Sequence, residues 1–132
     1  MVLELNEYIR TKGGIIAKVI GVQSGGIEKY YFDKEVIDNF KELTQIGTEN
    51  VVLKHSFNII DLIEIEDLVS VIDGDTTAVC EVIGTEIRDK NFRKTNEIGV
   101  RYMSDEIDII PLKRIKSIVT KEQFQAMEYE VK

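Results

Sequence analysis

Apolar and polar positions alternate with period two along much of the chain, and glycines punctuate the first alternating runs. Tyr8-Ile9-Arg10-Thr11 and Ile15-Ile16-Ala17-Lys18-Val19-Ile20, separated by Gly13-Gly14, predict two strands and a tight turn. Ser24-Gly25-Gly26 then introduces a third run, Ile27-Glu28-Lys29-Tyr30-Tyr31-Phe32, in which alternation predicts one ring facing inward and its two neighbours facing outward. Asp33 suits an N-cap, and Val36, Ile37, Phe40 and Leu43 follow at helical spacing, which predicts a short amphipathic helix ending near Gly47. Asn50–Lys54 reads as the next strand, whereas Ile59–Ile65 fits a helical turn or the start of a strand equally well.

The second half repeats the strand pattern. Leu68–Ile72 and Thr76–Arg88 flank the turn residues Asp73-Gly74-Asp75 and predict a hairpin. Residues 89–96 are polar and form a loop, and Glu97–Met103 and Glu106–Ile110 are two further strands. Pro111, the only proline, cannot donate to a ladder, so Ile107–Ile110 is expected at a sheet edge. Arg114–Val119 alternates as a strand with one wet face. Thr120-Lys121-Glu122-Gln123 is a capping box opening a two-turn helix through Met127, and Tyr129–Val131 adds a last strand. The expected fold is all-β or β-dominated α+β: a small bent SH3-like barrel with one or two short helices, spanning residues 1–132 as a single domain.

Composition supports this class. The chain has 132 residues, 43% of them apolar and rich in isoleucine and valine, with five Tyr, five Phe and no Trp. Such side chains suit a pleated, half-buried surface. No apolar run approaches the ~20 residues that span a bilayer, and Met1–Glu7 lacks the basic start of a signal peptide. A lone cysteine, Cys80, excludes an internal disulfide and fits a reducing, cytoplasmic setting. Its apolar neighbours predict a packed, inert thiol. Net charge is −7, but residues 88–121 hold nine bases against five acids, so that window is +4 and the remainder −11. An acidic chain is not expected to bind duplex nucleic acid nonspecifically, because many phosphates must be neutralised.

The only histidine, His55, lies beside Ser56 and near Asp61, the residue types of a hydrolytic set. Neighbours on one short segment rarely converge as a triad does, so the reading preferred is structural: His55 and Ser56 end a strand, and Ser56 or Asn58 caps the following turn. Asp73-Gly74-Asp75 is too short for a calcium loop, and one histidine with one cysteine makes no zinc shell. No catalytic residue, metal or cofactor is predicted. The strongest binding candidate is Arg88-Asp89-Lys90-Asn91-Phe92-Arg93-Lys94, four bases around an aromatic ring, with Arg101 and His55 as outlying members. Bases hold phosphates, and a ring stacks on a nucleobase.

Three stretches carry a resemblance: Tyr8–Thr11 with Gly14–Lys18; Lys54-His55-Ser56 with Asn58–Glu64; and Ile115–Phe124 closing on Met127-Glu128-Tyr129. Together, in this order and over about a third of the chain, they resemble small uncharacterised proteins of phages and prophages of low-GC Gram-positive bacteria. Those relatives continue past the glutamate with a Gly-Asp-Tyr-Val-Asn-Gly-like turn. Here Glu66-Asp67-Leu68-Val69 lacks the glycine, and residues 73–110 have no counterpart. The resemblance implies a phage origin and a compact β-rich fold, and supplies no catalytic residues. The expected function is therefore that of a non-enzymatic viral protein, cytoplasmic in the infected or lysogenic host, that inhibits antiviral defence. It does so by sequestering a nucleotide immune signal or by blocking a defence protein such as a CRISPR nuclease, whose nucleic-acid channel attracts an acidic surface. The alternative is an accessory role in assembly of the phage particle. Bare strand edges in so small a sheet lead to the expectation of a homo-oligomer.

Overall fold

The computed structural model describes residues 1–123 and 128–131. Its contacts divide the chain into two compact units, Met1–Leu62 and Ile63–Lys132, and both are β-dominated. One α-helix is present among the described residues.

In the first unit, β1 (Tyr8–Thr11), β2 (Ile16–Gln23), β3 (Lys29–Phe32), β4 (Glu42–Thr44) and β5 (Val52–Ser56) form an antiparallel sheet of order β4-β3-β2-β1-β5. A meander whose fifth strand returns to the first has the strand order of an SH3-like barrel. Bulges at Arg10/Thr11 and Val19/Gly21 curl the sheet into a half-barrel. The β1–β2 turn follows the glycine pattern: Gly14 has φ 86°, and its N–H donates to the Thr11 carbonyl at 2.9 Å. Leu3, Ile9, Ala17, Val19, Tyr30, Phe32, Val36, Leu43 and Val52 form the core.

Two expectations are corrected here. The rings take the opposite phase: Tyr30 and Phe32 are buried, and the half-exposed Tyr31 lies over Gly21. Pairing decides this, because Phe32 sits opposite the core residue Val19. The Tyr30 hydroxyl tolerates burial by accepting from the Leu3 N–H at 3.1 Å and donating to Glu28 at 2.9 Å. Burial pushes the phenol above its ordinary pKa.

The helix expected behind Asp33 is also absent. Asp33 is tied to β2, its Oδ1 accepting from the Lys18 N–H at 2.8 Å. Ile37 and Phe40 instead bridge a tight reversal in which Asp38 and Asn39 have φ of 46° and 68°. Two consecutive left-handed residues make a hairpin turn and cannot lie in a right-handed helix. The stripe's buried members keep their core role, with Leu43 on β4. The helix, α1 (Gln45–Val51), starts eleven residues later, with Thr44 in place of Asp33 as its N-cap: the Thr44 hydroxyl accepts from the Gly47 N–H at 3.1 Å, so Gly47 lies inside the helix. The ambiguous Ile59 segment is a 3-10 turn, Ile59–Leu62.

In the second unit, β6 (Leu68–Asp73), β7 (Thr76–Gly84), β8 (Glu97–Arg101), β9 (Ile107–Pro111), β10 (Ile115–Val119) and β11 (Tyr129–Glu130) make an antiparallel sheet of order β11-β10-β6-β7-β8-β9. The hairpin at Asp73-Gly74-Asp75 and the edge position of the proline-bearing strand are as expected. Of the helix expected over Thr120–Met127, Lys121–Gln123 forms a turn, with the Gln123 N–H donating to the Thr120 carbonyl at 3.1 Å. Residues 124–127 lie outside the described residues.

The alternate residues Val69, Val71, Cys80, Val82, Ile98, Val100 and Ile110 are buried on one face. Cys80 is a packed thiol whose pKa burial pushes up. It should resist iodoacetamide at pH 8 in the native protein and alkylate once urea unfolds the chain. Native labelling at the unfolded rate would contradict that packing.

Candidate functional site

The Lys54–Glu64 segment is organised by hydrogen bonds that engage the side chains of His55, Ser56, Asn58 and Asp61 within the fold. Residues 55 and 56 are adjacent on β5 and point to opposite faces. His55 Nδ1 meets the carboxylate of Glu7, a buried residue whose other oxygen accepts from the Glu4 N–H at 3.1 Å. Ser56 Oγ–H donates to Asp61 at 2.6 Å and accepts from the Asn58 N–H at 3.1 Å, while Asn58 Oδ1 accepts from the Ile60 N–H at 3.3 Å. Ser56 and Asn58 are therefore the caps of the 3-10 turn, and the imidazole is not the acceptor for the serine hydroxyl, as a triad requires.

β1 and the turn after β10 both bond to this segment. β1 pairs with β5, placing Tyr8 opposite Ser56 and Ile9 opposite His55. Arg10, 0% exposed, donates from Nη1 to the Leu62 carbonyl at 2.9 Å. In the second unit, Lys121 Nζ lies 3.2 Å from Glu64, whose carboxylate raises the ammonium's pKa. The fully buried Asp67 accepts from the Glu64 N–H at 2.8 Å and from the Lys121 N–H at 3.0 Å. Glu66, beside Asp67, has φ 80°, a left-handed backbone position held without a glycine. Glu7, Arg10 and Asp67 were not marked by sequence pattern. Each is a charged residue whose burial depends on partners remote in sequence.

The basic stretch sits differently. Beyond Gly84, the chain from Thr85 to Asn96 makes a hairpin arm, with the Thr95 N–H and hydroxyl both donating to the Ile87 carbonyl at 2.8 and 3.0 Å. Arg88 and Lys94 bridge across it. Asp89 builds the tip: its Oδ1 accepts from the Asn91 and Arg93 N–H groups at 2.8 and 3.0 Å, its N–H donates to the Arg93 carbonyl, and its carbonyl accepts from the Phe92 N–H. Arg88 Nη1 donates to the Phe92 carbonyl at 3.0 Å. This dense local bonding holds Phe92 at φ 62° with its residue surface 82% exposed. Lys90, Arg93 and Lys94 are exposed around it.

Five of the seven candidate residues are thus brought together, with Arg88 serving as a brace. Arg101 is not: it lies at the opposite end of β8, four residues of about 3.3 Å rise beyond Glu97, and pairs with Glu81 at 3.5 Å. His55 belongs to the first unit and is engaged by Glu7.

A separate cleft of about 460 Å³ is lined by Asp73, Tyr102, Glu106, Asp108 and Arg114 among others. Burial raises the Tyr102 phenol there, and Arg114 Nε is spent on the Ile72 carbonyl at 3.1 Å. Among the described residues no three His, Cys, Asp or Glu side chains gather as metal ligands. Comparison with protein-family models, curated proteins and solved structures gave no match.

Proposed function

We propose that this chain is a non-enzymatic, phage-encoded binding protein that blocks a host antiviral defence protein by seating the Phe92 tip in a pocket of that protein. One observation carries the reading: a phenylalanine, 82% exposed, occupies a left-handed backbone position at the apex of a hydrogen-bonded arm among basic side chains. Glycine or asparagine would take that conformation at lower cost. A bulky apolar side chain kept there points to a contact outside the chain.

The choice between occluding a protein and sequestering a nucleotide follows from shape. Small-ligand sites are concave and bury most of their ligand, whereas so exposed a ring has no wall opposite it. A convex aromatic tip with basic neighbours suits an acidic pocket with an apolar floor, where one aromatic anchor can dominate affinity. The phage-like resemblance supports the setting, and the bonding of the Lys54–Glu64 segment to its own fold supports a scaffold role for that stretch.

The test is Phe92→Gly, for which stability and function should move in opposite directions. Removing the left-handed strain is expected to stabilise by about 1 kcal/mol. Losing the anchor is expected to weaken binding roughly 30-fold or more. Host cells carrying a defined defence system are challenged with phage while expressing either form, and melting is followed in parallel. Equal protection of the phage by both forms defeats the proposal. A Phe92-dependent rise in melting temperature with cyclic nucleotides would redirect it to sequestration, since a ligand at 100 times its Kd adds ~2.7 kcal/mol.

A further inference from the structure

The edge strand β9 shows how this chain treats an exposed ladder. Its register with β8 sums to a constant: Glu97 faces Pro111, Gly99 faces Ile109 and Arg101 faces Ile107. The Tyr102 N–H donates to the Glu106 carbonyl, and the Leu112 N–H to the Asn96 carbonyl, both at 2.8 Å. Hydrogen-bonded pairs recur every second residue in an antiparallel ladder, so Asp108 and Ile110 turn their backbone groups toward β8. Ile107, Ile109 and Pro111 turn theirs away from it.

Each outward position can then be followed. Pro111 has no N–H. The Ile109 N–H donates to Oδ1 of Asp108 at 2.8 Å, the preceding side chain folding back over the strand edge. Within β9 this leaves the Ile107 N–H, at the strand's first residue, as the outward donor that neither a ring nor a carboxylate covers. An added strand needs alternating donors and acceptors along its length, and here two of three donors are withdrawn.

The side chains make the guard consequential. Ile107 is 64% and Ile109 50% exposed, side by side on one face of an edge strand. A bare edge carrying exposed isoleucines is the feature that recruits a second chain. The self-pairing expected of bare strand edges meets, at β9, an edge with one uncovered outward donor.

We propose that Asp108 and Pro111 together seal β9 against strand addition by a second copy of this chain, so that restoring both donors creates a β9–β9 dimer that the native sequence avoids. Asp108→Ala frees the Ile109 N–H, and Pro111→Val supplies the missing one. Antiparallel pairing about a two-fold axis then counts each restored donor twice.

Sedimentation of the wild type, the double variant and Asp108→Asn, which retains the Oδ1 acceptor, tests this. The double variant should self-associate at least about tenfold more tightly than wild type, the worth of a small number of hydrogen bonds. Asp108→Asn should sediment as wild type. A folded double variant with wild-type sedimentation overturns the proposal.

If the double variant does not fold, amide exchange in the wild type decides. The Ile109 N–H should exchange about tenfold more slowly than that of Ile107 after correction for intrinsic rates. Equal rates would show that the carboxylate does not cover the edge. Neither readout depends on the Phe92 tip, so this inference and the proposed function stand or fall separately.

Discussion

Replacing Arg10 by alanine should destabilise the first unit by about 3–5 kcal/mol, because a buried donor and a long packed stem are lost together. The residue is 0% exposed and reaches across to the backbone of the 3-10 turn at Leu62, fifty-two positions away. Alanine leaves that carbonyl without the guanidinium and opens a void where the aliphatic stem packed. A loss of that size is a third or more of a typical domain's ~5–15 kcal/mol.

Arg10→Met separates the two causes, since it keeps the stem and deletes the donors. If packing dominates, methionine recovers most of the stability; if the hydrogen bond dominates, it recovers little. Urea unfolding followed by circular dichroism and tyrosine emission is the measurement, the chain having no tryptophan. An alanine variant within about 1 kcal/mol of wild type would refute the assignment, since ordinary surface substitutions fall in that range.

Asp67→Ala should be comparably severe in the second unit, at roughly 2–5 kcal/mol, since hydrogen bonds to a charged group are worth ~1.5–3 kcal/mol each. The Asp67 carboxylate accepts from two backbone N–H groups, of Glu64 and Lys121, fastening the segment before β6 to the turn after β10. Alanine strands both donors. Asparagine keeps one acceptor and sets its own NH2 against the other N–H, so it should recover no more than half. Lys121 and Glu64 cannot compensate through their side chains, since that pair is solvent-reaching and a surface ion pair contributes little. Hydrogen exchange at the Lys121 amide gives a local check, as it should accelerate in both variants.

Arg10 ties β1 to the 3-10 turn at Leu62, and Lys121 pairs with Glu64. The Lys54–Glu64 segment, the most distinctive run in the sequence, is thus spent on ties within the fold. The candidate contact lies elsewhere, in the arm between β7 and β8. Packed elements commonly hold a frame while an exposed loop makes the contact.

The meander of β1 to β3, the hairpin at Gly74 and the edge placement of Pro111 were legible because each depends on local chemistry: side-chain alternation, glycine in a turn, a missing donor. The helical pattern behind Asp33 is ambiguous because Val36, Ile37, Phe40 and Leu43 satisfy a helical stripe and a hairpin with a following strand equally. The Asp38-Asn39 pair, which tolerates left-handed backbone, was the local signal in favour of the turn. The phase of Tyr30-Tyr31-Phe32 was undetermined by alternation alone, since period two has two phases and only the pairing with Val19 selects one.

By itself, then, the order of residues determined a β-dominated chain, most of its strands and the basic, aromatic character of the 88–94 stretch, because those follow from neighbours along the chain. Only the tertiary structure decided which charges are buried, which nitrogens β9 leaves uncovered, and that Phe92 stands at the tip of a braced arm. Glu7, Arg10 and Asp67 find partners 48 to 54 residues away, and a stretch of sequence carries no record of what packs against it from that distance.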